Sequence, residues 1–371
     1  MSRNSDQTEK SIVFCIEALT VGGAEQMLVA MANQFVSRGW SVHMICLYKA
    51  GELSEKLVDQ VHVHVLNKKS GIDFRLPKRL RALIKGIQPT AVNSHLWTAN
   101  LWTRIALFGT AIPIFVTEHS RDTWKSSHYR LIDRLLSRGT KKLVAVSNDT
   151  AEFYRVDIKI PTSLVCVINN GVDTKRYVKG DGAALKKQWA PNDELLLGTV
   201  GRMVPAKNHM RMLDMAVLLK DRLPEFKLVL VGDGELRSDI EAVIEQKALQ
   251  DNVILAGARS DIPDVLAALD IFILSSDREG HPLTALEAQA AGTPVILTKA
   301  GGSADAIAVH EAHTGGMLVD KDAQALADAV VTMSKNPESL EQMGTFAQSY
   351  ALERFDIQQM VDQYEHLFIG G

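Results

Sequence analysis

The sequence predicts an α/β protein of two Rossmann-like domains facing each other across a cleft. Three observations carry this. The chain has 371 residues, too many for one ordinary core. Short apolar runs alternate with helical patterns through both halves, as expected of parallel strands covered on both faces. A turn-rich segment, Asn169-Asn170-Gly171-Val172-Asp173, follows a strand midway and marks the junction between domains.

In the first half, strands are expected at Ile12–Leu19, Val42–Tyr48, Val61–Leu66, Ala91–Ser94, Ile114–Glu118, Leu143–Ser147 and Leu164–Ile168. Helices begin near Ala24, Leu76, Leu101, Tyr129 and Asp149. In the second half, Leu195–Val200, Leu228–Val231, Val253–Leu255, Ile271–Leu274 and Val295–Leu297 have the composition of buried strands, each followed by a helix or a Gly-rich turn. After Asp320 the pattern is purely helical and ends in a helix over Phe355–Phe368. The division is therefore 1–170 and 171–350, with a terminal helical segment at 351–371. In such folds ligands bind at the carboxyl ends of the strands.

A hydrophobic content of 46% with 23% charged residues excludes disorder and collagen-like repetition. Cys15, Cys46 and Cys166 sit in apolar runs without close spacing, which fits reduced, buried thiols in a cytoplasmic protein better than a disulfide framework. The polar segment Met1–Lys10 is expected to be neither signal peptide nor anchor, and no apolar stretch reaches membrane-spanning length without interruption. The formal charge of −3 conceals an asymmetry: up to Ile168 there are 22 Lys+Arg against 14 Asp+Glu, and beyond it 19 against 30.

The stretch Glu279-Gly280-His281-Pro282-Leu283-Thr284-Ala285-Leu286-Glu287 predicts a loop leading into a short helix that stops at Gly292. Free N–H groups and the dipole at a helix start suit a phosphate. With Glu279 before the helix and Glu287 two turns along it, a bound diphosphate would find a carboxylate on each side to accept sugar or ribose hydroxyls. Glycine, Arg202 and Lys207 follow the strand that opens the second half, an arrangement able to clamp an anion by a fork and a point charge. Gly22-Gly23-Ala24-Glu25 opens a helix after the first strand, but without the third glycine of a dinucleotide fingerprint. Gly232-Asp233-Gly234 is expected to be mostly a turn. His119 follows Glu118 at a strand end and could meet a sugar or a second substrate, and His95 closes another strand.

Neither His62 with His64 nor His310 with His313 has a convincing third ligand, so no metal site is assigned. A basic stretch from Arg75 to Lys85 and a second cluster, Arg121, Trp124, Lys125, His128, Tyr129, Arg130, Arg134 and Arg138, would suit an anionic membrane surface or a phosphorylated acceptor, or form a solvated face. No nucleic-acid motif accompanies them.

With these motifs the chain resembles the retaining glycosyltransferases of family 4, which have the GT-B fold. The resemblance runs from Gly22-Gly23-Ala24-Glu25 through Asn170-Gly171-Val172-Asp173, Gly201-Arg202 with Lys207 and the Glu279-x7-Glu287 motif to Gly301-Gly302. It implies that Arg202 and Lys207 hold the donor diphosphate, Glu287 the ribose and Glu279 hydroxyls of the transferred sugar. Backbone from Gly280 to Thr284, including Leu283, would meet phosphate, with Gly22, Gly23 and Glu25 beside it. His119 matches the histidine near the donor sugar. His281 stands where the family more often has an aromatic residue, which leaves its role open. The final helix would cross back onto the first domain.

The implied reaction moves a hexose or N-acetylhexosamine from a UDP- or GDP-sugar to a glycan or lipid-linked acceptor. It would proceed with retention and without metal or cofactor, in bacterial surface polysaccharide or glycolipid synthesis, in the cytoplasm or at the inner face of an anionic membrane. Two other classes fit the same clamp: an epimerase acting on the nucleotide sugar, and a non-catalytic nucleotide-sugar binding protein.

Overall fold

The computed structural model describes residues 10–223 and 225–370, so the polar segment Met1–Glu9 lies outside the described residues. The chain begins with β1 (Ser11–Ile16), α1 (Gly23–Ser37), β2 (Ser41–Cys46), β3 (Val61–Val65), α2 (Leu76–Ile87) and β4 (Ala91–His95). Next come α3 (Trp97–Leu107), β5 (Ile114–Glu118), α4 (Ser127–Leu136), β6 (Lys142–Ala145), α5 (Asn148–Glu152) and β7 (Val165–Val167). The middle of the chain holds α6 (Thr174–Val178), α7 (Ala183–Trp189), β8 (Leu195–Val200), α8 (His209–Lys220), β9 (Phe226–Val231), α9 (Arg237–Gln246), β10 (Val253–Gly257) and α10 (Ile262–Ala268). It is followed by β11 (Ile271–Leu274), α11 (Leu283–Ala290), β12 (Val295–Thr298), β13 (Val309–His310), β14 (His313–Thr314) and β15 (Gly316–Val319). Three helices finish it: α12 (Ala323–Ser334), α13 (Pro337–Arg354) and α14 (Ile357–Gly370).

Two compact units result, one of residues up to Asn170 together with those from Ile357 onward, the other Gly171–Asp356. Each is a parallel sheet covered by helices. The first has the order β3-β2-β1-β4-β5-β6-β7 and the second β10-β9-β8-β11-β12-β15. In both, strand order reverses beside the opening strand, between β1 and β4 and between β8 and β11, and the loops leaving those strands are where an open α/β sheet binds ligands. β1 is buried along its whole length, and the alternation of apolar strand and helix is borne out in both halves.

Departures from the sequence reading have local causes. α3 begins at Trp97, not near Leu101, because Leu96 adopts φ 68 and turns the chain immediately after β4. The sixth strand of the second sheet, β15, went unread: it is a four-residue edge strand, only partly buried, opened by Gly316, where a Cβ would collide with the Val295 carbonyl. His310 and His313 face each other across the β13–β14 hairpin, with Glu311 at φ 53 in its turn. The last helix starts at Ile357 rather than Phe355, because the Phe355 N–H closes α13 on the Ala351 carbonyl and Asp356 bridges to Val172.

In the first unit α14 lies along α1, with Phe368 packed on Phe35 and Phe115. Right-handed crossovers place α2, α3 and α4 together on the other face of the sheet. There Arg104 Nη2 meets Asp133 Oδ1 at 2.5 Å, while Lys125 Nζ reaches Asp133 Oδ2 at 2.8 Å and Asp122 at 2.9 Å. Lys125 therefore belongs to a buried ionic cluster and not to the basic surface the sequence suggested. Glu118 is buried beside it. Burial pushes its carboxyl up to about 7, with Lys125 pulling down and Asp122 and Asp133 pushing up.

A carboxyl whose folded pKa lies above its unfolded value stabilises the fold only at low pH, and that contribution is lost as pH rises through the folded pKa. Glu118→Gln should therefore stabilise the protein relative to the parent at about pH 8 and give little or no gain near about pH 5, read from urea midpoints. A difference independent of pH contradicts the assignment.

Candidate active site

The second unit builds its site on the two loops that leave β8 and β11. The first is pinned from behind: Gly201 N–H donates to the Val231 carbonyl and Met203 N–H to the Asp233 carbonyl, both at 2.9 Å. Gly232, at φ 137, lies so close to the Gly201 carbonyl that no Cβ fits. The Gly232-Asp233-Gly234 turn is thus packing for the loop that carries Arg202 and Lys207. A single 3-10 turn (Pro205–Lys207) then leads to Asn208, whose left-handed backbone and side chain cap α8, accepting the Arg211 N–H at 3.1 Å.

The two loops are joined by partly buried polar bonds. Asp277 N–H donates to the Ala206 carbonyl at 2.8 Å. The Asp277 carboxylate accepts from Arg211 Nη2 at 2.7 Å and Asn208 Nδ2 at 3.0 Å, and Arg211 Nη1 donates to the Ser275 carbonyl at 2.6 Å. Across this frame Lys207 Nζ donates to Glu279 Oε1 at 2.7 Å, and Ser276 Oγ donates to the same oxygen at 2.6 Å. Gly302 N–H holds the Glu279 carbonyl at 3.1 Å. The Glu279 side chain is 9% exposed and that of Lys207 25%, so the pair sits at the boundary of solvent. Arg202 is exposed, and its guanidinium makes no ion pair or hydrogen bond among the described residues.

The helix expected after Glu279 is α11, with Pro282 at its N-cap, one position earlier than the first-turn place read from sequence, and Gly292 at φ 86 past its end. Gly280 lies in the approach, and Leu283 and Thr284 are half-buried in the first turn. His281, whose role the sequence left open, has a buried imidazole: Nε2 donates to the Asp305 carbonyl at 3.1 Å, and the ring stands edge-on to Phe355. Burial holds it down to about 4. Glu287 is buried two turns along, where it accepts the Tyr177 hydroxyl with Arg176 nearby. Burial raises its carboxyl, an effect opposed by Tyr177 and Arg176.

In the first unit, Gly22 caps α1 in an extended conformation and Gly23 is its first helical residue. Glu25, in that first turn, folds its carboxylate back over Gly22, where a Cβ would strike it. A Cβ at Gly22 would meet only the far end of that flexible side chain, which can move aside. His119 follows β5 and is half-buried; its Nε2 lies 3.0 Å from Nδ1 of His95, whose Nε2 lies 2.8 Å from Asn93 Oδ1. Burial holds His119 down to about 4 and His95 well below the usual imidazole value.

Tyr177, Ser276, Asn208, Arg211 and Asp277 were not singled out from the sequence. Tyr177 is 110 positions from Glu287 on a five-residue helix, so no local pattern announces it. Asn93 and His95, two apart on a strand and hence on one face, could have been paired by strand alternation. Among the described residues no group of His, Cys, Asp or Glu is arranged to hold a metal ion.

Known proteins resemble the chain throughout. A family model described as Glycosyltransferase Family 4 matches residues 21–176 and one described as Glycosyl transferases group 1 matches residues 183–350. The UDP-Gal:alpha-D-GlcNAc-diphosphoundecaprenol alpha-1,3-galactosyltransferase of Escherichia coli is 26% identical over 370 residues, 94% of each chain. The N-acetyl-alpha-D-glucosaminyl L-malate synthase of Bacillus anthracis is 25% identical over 369 residues, again 94% of each. Among solved structures, Anabaena Alr3699/HepE in complex with UDP superposes with a TM-score of 0.86 at 22% identity, covering 97% of this chain and 100% of that one. The sucrose-phosphate synthase of Thermosynechococcus elongatus gives 0.79 at 17% identity, covering 98% and 100%. These two likenesses are of fold, and that fold is GT-B.

Tyr177→Phe leaves the buried Glu287 carboxylate without its hydroxyl donor. It should cost about 1–3 kcal/mol of stability in urea unfolding at neutral pH, and no measurable cost would contradict the pairing.

Proposed function

We propose that this chain, which belongs to glycosyltransferase family 4, moves a hexose or N-acetylhexosamine from a nucleoside-diphosphate sugar to a glycan or lipid-linked acceptor. The observation that carries the reading is the joined pair of loops at the β8–β11 reversal: a cation and a carboxylate held together at the solvent boundary, with exposed Arg202 on the same loop as Lys207. The curated relatives support a bacterial surface-glycan or glycolipid setting, one by a diphosphoundecaprenol acceptor in its name.

In this reading the diphosphate of a UDP- or GDP-sugar takes Lys207 and Arg202 as counter-charges, and the first turn of α11 contributes its N–H groups and dipole. Lys207 then moves its hydrogen bond from Glu279 to the phosphate, which releases the Glu279 carboxylate to accept sugar hydroxyls while Ser276 still orients it. Glu287, kept in place by Tyr177, accepts the ribose hydroxyls. As the bond to the anomeric carbon breaks, the negative charge growing on the leaving diphosphate is met by these fixed positive groups. No metal ion is assigned a step, and retention follows from the family resemblance.

The basic face of the first unit is proposed to meet an anionic bilayer carrying the acceptor, at the cytoplasmic side. α4 exposes Leu131 (55%) and Leu135 (48%) next to Arg134 and Arg138, and its one acid, Asp133, is buried in the ionic cluster. On the same sheet face, the loop before α2 exposes Ile72 (71%) and Phe74 (86%) beside Arg75. Exposed apolar side chains beside cations, with the acids Asp73 and Asp133 both buried, suit an interfacial anchor. No helix of the described residues is long and apolar enough to cross a membrane.

Arg202→Ala should lower turnover by about two orders of magnitude, measured as sugar transfer from a screened set of nucleotide sugars to lipid-linked acceptors. Near-normal transfer would sink the clamp. Change of the donor with no acceptor present would favour an epimerase, and activity abolished by EDTA and restored by Mn²⁺ would contradict the metal-free version. For the membrane face, the protein should cosediment with phosphatidylglycerol vesicles and not with phosphatidylcholine vesicles. The double variant Leu131→Ser, Leu135→Ser should bind the former at least about tenfold more weakly; equal binding by parent and variant would refute the docking face.

A further inference from the structure

We infer that His95, anchored by Asn93, is a positioning residue that fixes His119 as the Nε2–H tautomer, so that the first unit presents a bare Nδ1 to a hydroxyl group of its ligand. Asn93 Nδ2 lies 3.3 Å from the Phe115 carbonyl, which can only accept, and 3.0 Å from Thr117 Oγ1. The amide orientation is therefore set, and Oδ1 is the atom turned to His95. An amide oxygen only accepts, so the proton of the 2.8 Å bond must sit on His95 Nε2.

His95 is fully buried on β4, with the ring of Phe14 edge-on to it, a setting that disfavours an imidazolium. A neutral His95 protonated at Nε2 has a lone pair at Nδ1. The 3.0 Å bond to His119 then requires His119 to donate from Nε2, and a neutral His119 is left with its Nδ1 unprotonated. No described residue bonds that nitrogen. A charged His95 would keep its bond to Asn93 but also donate from Nδ1, reversing the bond to His119, and burial is what prevents it.

The relay is braced from the far side of the unit. Thr117 Oγ1, the acceptor for Asn93, lies 3.3 Å from the Tyr364 hydroxyl of α14, and both are buried. Strand register explains why these groups align: His95 pairs with Thr117 across β4 and β5, and Asn93, His95, Thr117 and His119 fall on one face by two-residue alternation. Glu118, between Thr117 and His119, points to the opposite face, into the Lys125 cluster.

The consequence is a choice of ligand group. A bare imidazole nitrogen accepts from O–H or N–H and is repelled by a phosphate oxygen. His119 is thus assigned to a hydroxyl of the transferred sugar or of a polyol acceptor, and not to the diphosphate. This rests on the transferase reading only for the identity of the ligand, because the tautomer is a property of the protein alone.

The test is ¹⁵N NMR of histidine-labelled protein without ligand, with the His119 signals found by difference from His119→Asn. The expected result is a protonated Nε2 and an unprotonated Nδ1 on His119. A protonated Nδ1, or an averaged pair of tautomers, overturns the inference whether or not the protein transfers sugar. A second measurement separates positioning from folding. His95→Phe keeps the ring but cannot accept, and should mix the tautomers of His119 and lower kcat/KM about ten- to a hundredfold, the scale of losing an orienting partner. His95→Gln can accept from His119 with its oxygen and donate to Asn93 with its nitrogen, and should recover most of that loss. Equal activity in the Phe and Gln variants would show that His95 fills space and nothing more.

Discussion

The ion pair between Lys207 and Glu279 is the constraint on which the second unit's site depends. It spans two loops that leave neighbouring strands at the sheet's reversal, and Ser276 shares its acceptor oxygen. A free lysine and a free glutamate at this boundary would each spread over many rotamers and lose the geometry a ligand needs. Bound to each other they are held in place, and in the proposed function a diphosphate replaces that interaction. The Asp277, Asn208 and Arg211 bonds beneath carry the stiffness, so an exchange of partners at Lys207 need not move the backbone.

The first unit solves a different problem with a single strand end. β5 delivers Glu118 to one face of the sheet and Thr117 with His119 to the other. On the α4 side, charges are buried in compensating pairs, which is costly but leaves the outward face of that helix free of acids. On the α14 side, the chain from Asn93 through His95 to His119 uses only neutral groups, and each hydrogen bond fixes the direction of the next. The C-terminal helix joins that chain through Tyr364.

Much of this was legible in the sequence, and the limits have physical reasons. Fully buried apolar strands such as β11, and the loop–helix–Gly292 pattern around Glu279, are encoded by neighbouring residues, so spacing reveals them, whereas the equally short β15 is only partly buried. The glutamate pair and the Arg202–Lys207 loop were found the same way. What spacing does not encode is which groups the fold turns toward each other. Tyr177 against Glu287, Ser276 against Glu279 and Asn93 behind His95 are contacts of the tertiary structure. Lys125 shows the converse error: a polar residue in a suggestive run can be buried and paired, as it is with Asp133 on another element. β15 was lost because four residues on a sheet edge carry too little pattern to register.

The central claim is that the second unit binds a nucleoside diphosphate through Lys207. Its most direct test is equilibrium unfolding of the parent and of Lys207→Ala with UDP, GDP and the corresponding nucleosides. One diphosphate, at a hundred times its Kd for the parent, should stabilise the parent by roughly 2.7 kcal/mol. The same concentration should stabilise Lys207→Ala far less, and nucleosides should do little to either protein. Stabilisation by neither diphosphate, or equal stabilisation of both proteins, would contradict it.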